Sequence, residues 1–276
     1  MNPKITIGKD LNRRDALSIL GVFGAGVGAI GAGCGSSAAG TAADGGAGDL
    51  GTADCVLTPE STEGPFFIDE KLNRSDLIAG ETDPAITGGL PLAVTFNVMA
   101  INGTSCSPMP NAFVDIWHAD VNGLYSDLAS SMFQPTDTLG KKFLRAYQVT
   151  NGSGSAAFKT IYPGWYASRT AHIHFKVRLF SATGGETFEA TSQLYFADTV
   201  SDTVYAAAPY ASRGQRLVFL NTKDQVFNAT GPGGMIDNVG LPPGQIPPGE
   251  KTIAAIAPGN GGVGYIATLN VGLKFT

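Results

Sequence analysis

Between residues 90 and 220 apolar side chains do not recur at a long helical period. Short runs of five to ten residues alternate instead, each bounded by a turn signal. Residues 92–100 (LAVTFNVMA) alternate and then meet Asn102-Gly103, a strong turn dipeptide. Residues 112–118 (AFVDIWH), 143–149 (FLRAYQV) and 156–161 (AAFKTI) follow, with Asn151-Gly152-Ser153-Gly154 between the last two and Pro163-Gly164 after them. Residues 172–179 and 187–196 continue the series, and residues 264–275 read as a closing strand. Residues 221–262 carry Gly-Pro-Gly-Gly and Pro-Pro-Gly segments and read as loop. Such a succession predicts an all-β fold, an antiparallel β-sandwich with long connecting loops, over one domain spanning 54–276. No internal repeat is visible.

The first fifty residues follow other rules. Arg13-Arg14 precedes a Gly/Ala-rich, mildly apolar run too glycine-laden for a good membrane helix, which reads as a twin-arginine export signal over 1–34. Ile30-Gly31-Ala32-Gly33-Cys34 resembles a lipoprotein processing box, so Cys34 is a candidate for lipid attachment and a membrane tether. Residues 35–53 have too little apolar surface to fold and read as a linker. The expected location is therefore periplasmic or extracellular. With Cys34 set aside, Cys55 and Cys106 form an even pair suited to a disulfide in an oxidising compartment, stabilising by roughly 2–4 kcal/mol. A formal net charge of −5 without a basic stripe argues against nucleic acid as a partner.

Candidate chemistry gathers in residues 163–175 (PGWYASRTAHIHF). The chain has three histidines, and two of them, His172 and His174, stand here two apart. In a strand that spacing puts both imidazoles on one face, where they can hold a transition metal. Tyr166 and Arg169 add a phenol and a cation nearby. No acidic residue has the spacing of a facial triad or zinc-peptidase helix, and the cysteines lie elsewhere, so further ligands fall to tyrosines. A phenol with a pKa near ~10 is held as phenolate at neutral pH only by a strong Lewis acid. Two Tyr and two His would suit non-haem Fe(III). Zinc or copper on the histidines alone, and a non-catalytic β-sandwich binding domain, are the rival readings.

Larger motifs then give a family resemblance. Residues 58–67 (TPESTEGPFF), 110–120 (PNAFVDIWHAD), 122–126 (NGLYS), 143–145 (FLR), 160–166 (TIYPGWY), 169–174 (RTAHIH) and 193–196 (QLYF) occur in this order. Together the chain resembles the intradiol ring-cleaving dioxygenases, the catechol and protocatechuate 3,4-dioxygenase family, in their exported single-domain branch. The resemblance implies iron ligation by Tyr125, Tyr166, His172 and His174, with Tyr166 displaced by substrate. It implies that Arg169 lies over the substrate ring, that Gln193 is a polar residue near the reacting carbon, and that Trp117 packs beside the metal. The implied reaction inserts both atoms of O2 into a catechol-type aromatic between its two hydroxylated carbons, giving a cis,cis-muconate-type diacid. Only Ala167 and Ser168 separate Tyr166 from Arg169, where aromatic-degrading members carry a longer insert, which implies a more open mouth. His118, in the Trp-His pair, reads as structural.

Overall fold

The computed structural model describes residues 56–214, 220–229 and 245–275. The expected signal, linker, Cys34 and Cys55 lie outside the described residues. Strands β1 (Pro91–Asn102), β2 (Ser105–Pro108), β3 (Phe113–Trp117), β4 (Arg145–Val149), β5 (Ser155–Ile161), β6 (His172–Phe180), β7 (Glu186–Tyr195), β8 (Ala255–Pro258) and β9 (Tyr265–Lys274) make two sheets. Helix α1 (Pro84–Thr87) is a single turn, and α2 (Asp198–Tyr205) follows β7. No described helix is long and apolar enough to cross a membrane.

The first sheet is built on β1. Its one side pairs in parallel with β9 from Leu92↔Tyr265 to Ile101↔Lys274. Its other side is shared, β5 taking Pro91 to Asn97 and β2 taking Met99 to Asn102, both antiparallel. Strand β8 extends the sheet beyond β9. The second sheet runs β4-β3-β6-β7 and is antiparallel throughout. The β1–β9 pair corrects the expectation of a purely antiparallel sandwich. Two strands from opposite ends of a domain are joined by everything between them, so no hairpin imposes an antiparallel pairing. Strands β2 and β8 were also not anticipated. Each has only four residues, mostly exposed, with no alternation to signal it. Gly103, at φ 61°, makes the turn that returns β1 into β2.

Alternation along β6 decides what faces what. Ile173, Phe175 and Val177 point inward with Val94, Phe96 and Val98 of β1, and Phe96 and Phe175 meet across the two sheets at 5.1 Å. On the outer face stand His172, His174, Lys176 and Arg178, all four buried. Charged groups on that face are burdened by desolvation unless paired, and each is paired. Arg178 holds Asp115 at 2.7 Å and Asp69 at 3.0 Å, while Lys176 binds Glu189 at 3.1 Å and also Glu63. Glu63 and Asp69 belong to the segment 58–70, which crosses this face. Ser61 N donates to Thr191 O at 3.0 Å, and Phe66 O accepts from Arg145 Nη1 at 2.7 Å. Phe66, Trp117, Ala119 and Tyr125, with Phe67, Leu128 and Tyr166 against them, form a second apolar cluster on this outer face.

Candidate metal centre

The strand register assembles the base of the site. His174 lies opposite Trp117 of β3 and Gln193 of β7; Trp117 lies opposite Arg145 of β4, and His172 opposite Tyr195. Directly paired residues share a face, so Arg145, Trp117, His174 and Gln193 form one row. The Trp117 indole stacks on the His174 imidazole at 4.9 Å and 10° and fixes its plane.

Two loops bring the tyrosines over this row. Tyr125 comes from the connection between β3 and β4, Tyr166 from that between β5 and β6. Asp120 Oδ1 accepts from Asn122 N at 2.8 Å and Leu124 N at 2.9 Å, closing a turn in which Gly123 takes φ 78°. A Cβ on Gly123 would lie 2.3 Å from Trp165 O, and one on Gly164 would lie 2.3 Å from Asp120 O. Glycine at both positions is what lets the two loops touch backbone to backbone. Gln134 then clamps the Tyr125 backbone. Its Oε1 accepts from Tyr125 N at 2.7 Å, and its Nε2 donates to Tyr125 O at 3.0 Å. Arg145 secures the next residue, donating to Ser126 Oγ at 2.9 Å and Ser126 O at 2.7 Å.

Four donor atoms converge as a result. Tyr125 Oη, Tyr166 Oη and His174 Nε2 each lie 3.2 Å from His172 Nε2. His172 Nδ1 sits 2.7 Å from Thr170 O, so it carries the proton and leaves the Nε2 lone pair facing the cluster. That single lone pair has three polar neighbours and can accept from only one. His174 Nδ1 is buried without a hydrogen-bond partner. Such a cluster is poorly satisfied as a hydrogen-bond network and well satisfied around a cation. Separations near 3.2 Å are those of adjacent ligands on a first-row ion with bonds of about 2.0–2.2 Å. Among the described residues no three His, Cys, Asp or Glu side chains gather into a cation site, so phenols would complete the ligand set.

Electrostatics fit a strongly Lewis-acidic ion. Burial pushes the Tyr125 phenol well above its usual pKa, and the neighbouring Tyr166 adds to this. Burial raises Tyr166 too, although Arg169 opposes it. Burial, then the Arg169 charge, hold His172 and His174 well below the usual imidazole range. All four groups are neutral at pH 7, so a cation held here would have to be a strong Lewis acid to keep the phenols as phenolates. The two donor types, hard phenol oxygen and imidazole nitrogen, suit a hard first-row transition-metal cation.

Arg169 stands beside the cluster. The two residues between it and Tyr166 close as a tight turn, with Ser168 at φ 65° and Arg169 N donating to Tyr166 O at 3.0 Å. The short spacing therefore puts both side chains on one side, and Arg169 Nη1 donates to Tyr166 Oη at 3.2 Å. Arg169 Nη2 donates to Gln193 Oε1, which also accepts from Tyr195 Oη at 2.9 Å. Gln193 Nε2 is anchored on Thr62 O at 3.0 Å. Burial opposes the charge on Arg169, but Tyr166 and Asp224 outweigh it and hold its pKa above the usual value.

Comparison with known proteins bears on this geometry. Residues 62–230, more than half of the chain, match the family model described as Dioxygenase. The chain belongs to the intradiol ring-cleavage dioxygenase family. Among solved structures, an intradiol ring-cleavage dioxygenase from Tetranychus urticae is 28% identical with a TM-score of 0.60, over 80% of this chain and 95% of that one. The dioxygenase domain of a dioxygenase carbohydrate-binding protein fusion from Streptomyces sp. SirexAA-E is 26% identical with a TM-score of 0.50, over 80% of this chain and all (100%) of that one. A catechol 1,2-dioxygenase from Acinetobacter lwoffii is 27% identical over 143 residues, 45% of this chain and 43% of the relative. A chlorocatechol 1,2-dioxygenase from Cupriavidus pinatubonensis is 31% identical over 150 residues, 49% of this chain and 52% of the relative. The chain thus spans about half the length of the curated relatives it matches.

In this family member the sequence-named residues Tyr125, Tyr166, His172, His174, Arg169, Gln193 and Trp117 come together in one place. His118 does not join them. It is buried, with Nε2 at 2.7 Å from Thr160 Oγ1 and Nδ1 at 2.9 Å from Ala119 O, so both nitrogens are engaged structurally. Besides Gln134, Asp120 and Arg145, which hold the Tyr125 loop, three further contributors were not singled out in the sequence. Tyr195 was visible only as part of a motif, Thr170 acts through its backbone, and Asp224 lies in the stretch read as loop.

Proposed function

We propose that this chain is a non-haem Fe(III) intradiol dioxygenase acting on a catechol-type aromatic diol and O2, cleaving between the two hydroxylated carbons to a cis,cis-muconate-type diacid. The convergence of two phenol oxygens and one imidazole nitrogen at 3.2 Å from a second imidazole nitrogen supports this above all. Tyr125, Tyr166, His172 and His174 would hold the iron, which when bound supplies Lewis acidity and a template for the diol.

Each residue has a distinct task in this reading. The Thr170 carbonyl keeps the His172 proton on Nδ1 and its lone pair on the metal side. Trp117 and the clamp at Gln134 keep His174 and Tyr125 from turning away. Tyr166 Oη is the phenol that touches Arg169, so as phenolate it would be the group placed to accept a proton from the diol. Arg169 stays permanently charged, and it offsets negative charge gathering beside Tyr166. Gln193 and Tyr195 hold its second nitrogen in place. Phe66, stacked on Tyr125 at 4.4 Å, and Leu128 give the site an apolar wall against water.

Oxygen uptake against catechol, protocatechuate, hydroxyquinol and larger plant-derived catechols tests the reading. Uptake with one or more, at one iron per chain, is expected; iron-loaded protein inert toward every catechol would overturn it. We further propose export through the twin-arginine route, with Cys34 as a candidate site of lipid attachment. Cys106 is a disulfide cysteine on β2, and Cys55 is its proposed partner.

A further inference from the structure

Asp224 belongs to none of the motifs that carry the family resemblance, yet its side chain is completely buried, 0% exposed, against Arg169. Oδ1 accepts from Val226 N at 2.8 Å, Arg169 Nε at 3.1 Å and Phe227 N at 3.2 Å. Oδ2 accepts from Thr170 N at 2.8 Å and Arg169 Nε at 2.9 Å. Every neighbour is a donor, so only a group with two accepting oxygens satisfies the place; an amide would turn an N–H toward another N–H. The carboxylate grips two parts of the site at once. It fixes the Arg169 guanidinium from behind, leaving Nη1 for Tyr166 and Nη2 for Gln193. It also fixes Thr170, whose hydroxyl is held by Asn221 Oδ1 at 2.7 Å and whose carbonyl orients His172.

We propose that Asp224 is a positioning residue for the reaction: it aims Arg169 beside Tyr166 and holds the Thr170 backbone that orients His172. This rests on the ferric dioxygenase reading above and adds to it a residue that touches neither metal nor substrate. A guanidinium on a flexible stem must lose rotamer freedom to act, and the buried carboxylate removes that freedom before substrate arrives.

The test uses the full chain with Asp224→Asn and Asp224→Glu, each alone and combined with Arg169→Ala. Iron content, the visible absorption band, kcat, KM and hydrogen exchange over 166–174 are read for each. Asp224→Asn should keep its iron and lose turnover by about tenfold or more, since displacements on the order of 1 Å cost rate, with a smaller change in KM. The absorption band should move to longer wavelength, because the Tyr166 oxygen loses the aligned Arg169 N–H. The Thr170 amide should exchange faster. Asp224→Glu, which keeps the charge but lengthens the stem, should fall between Asn and the parent, and it carries the same comparison if Asn does not fold. In the Arg169→Ala background the further loss of turnover from Asp224→Asn should be small, about twofold at most, because the two residues act as one unit. Parent turnover with an unmoved band, or losses that multiply fully in the absence of Arg169, would overturn the proposal. If the parent holds no iron and consumes no oxygen with any catechol, it is the functional reading that fails. Hydrogen exchange still judges Asp224 in that case, and unchanged exchange at Thr170 would remove its positioning role.

Discussion

Gly164→Ala is expected to damage the site without touching a single candidate ligand. A methyl group there would lie 2.3 Å from Asp120 O, 2.4 Å from Val121 O and 2.7 Å from Val121 C. Carbon and oxygen in comfortable contact are about 3.3–3.6 Å apart, so the two loops must separate by roughly 1 Å. All three obstructing atoms are backbone and cannot swing aside. Separation breaks the bond from Gly164 N to Asp120 O, 3.0 Å long, worth about 0.5–1.5 kcal/mol. Overpacking adds about 1–3 kcal/mol. The sum, roughly 1.5–4.5 kcal/mol, corresponds to a fall in Tm of roughly 3–18 °C for a domain this size. Function should suffer more than stability. The separating strands of chain carry Tyr125 and Tyr166, and a misplacement of about 1 Å can cost about a hundredfold in rate. Thermal unfolding, iron content and oxygen uptake measure each part. Gly185→Ala is the control, since its nearest contact is Ser181 Oγ at 3.5 Å, ordinary van der Waals distance. If Gly164→Ala matched the parent in Tm and turnover, close loop contact would not be what places the tyrosines.

Other expectations concern charge and protons. Arg169→Ala should retain iron, move its absorption band to longer wavelength because the N–H on Tyr166 Oη is gone, and lose turnover by about 2–4 kcal/mol of barrier, the typical worth of one electrostatic donor; loss of iron or parent-like turnover would contradict its role. His118, buried and neutral with its pKa lowered to about 4 from 6.5, should make the protein pH-sensitive. Between those values the unfolded chain binds the proton and the folded one does not, so stability falls as pH drops from 6.5 to 4, by roughly 3 kcal/mol in all. Denaturant titrations of His118→Asn should show a shallower pH slope over that window, and an identical slope would refute the assignment. Mass spectrometry without reduction should find Cys55 and Cys106 in one linked species; two alkylatable thiols would rule out the pairing.

The residues show why some of this was legible in sequence and some was not. The alternation in residues 172–179 exposes both the strand and its two-faced character, because inner positions are aliphatic or aromatic and outer ones polar. Burial of that polar face was not legible, since it depends on the segment 58–70 arriving from far away in sequence. Parallel pairing of β1 with β9 was hidden for the same reason: alternation reports faces and says nothing of direction. The short gap between Tyr166 and Arg169 looked like a missing wall, and its folded form is a turn that aligns both side chains. Asp224 left no local trace. An isolated acid in a loop acquires meaning only from the five donor contacts that surround it.

Visible absorption of the purified iron-containing protein tests the central claim most directly. Two phenolates on Fe(III) should give an intense ligand-to-metal band, leaving the protein reddish-purple, and Tyr125→Phe and Tyr166→Phe should each alter it. A protein with one ferric ion per chain that is colourless at neutral pH would contradict tyrosinate ligation, and with it the account of this site.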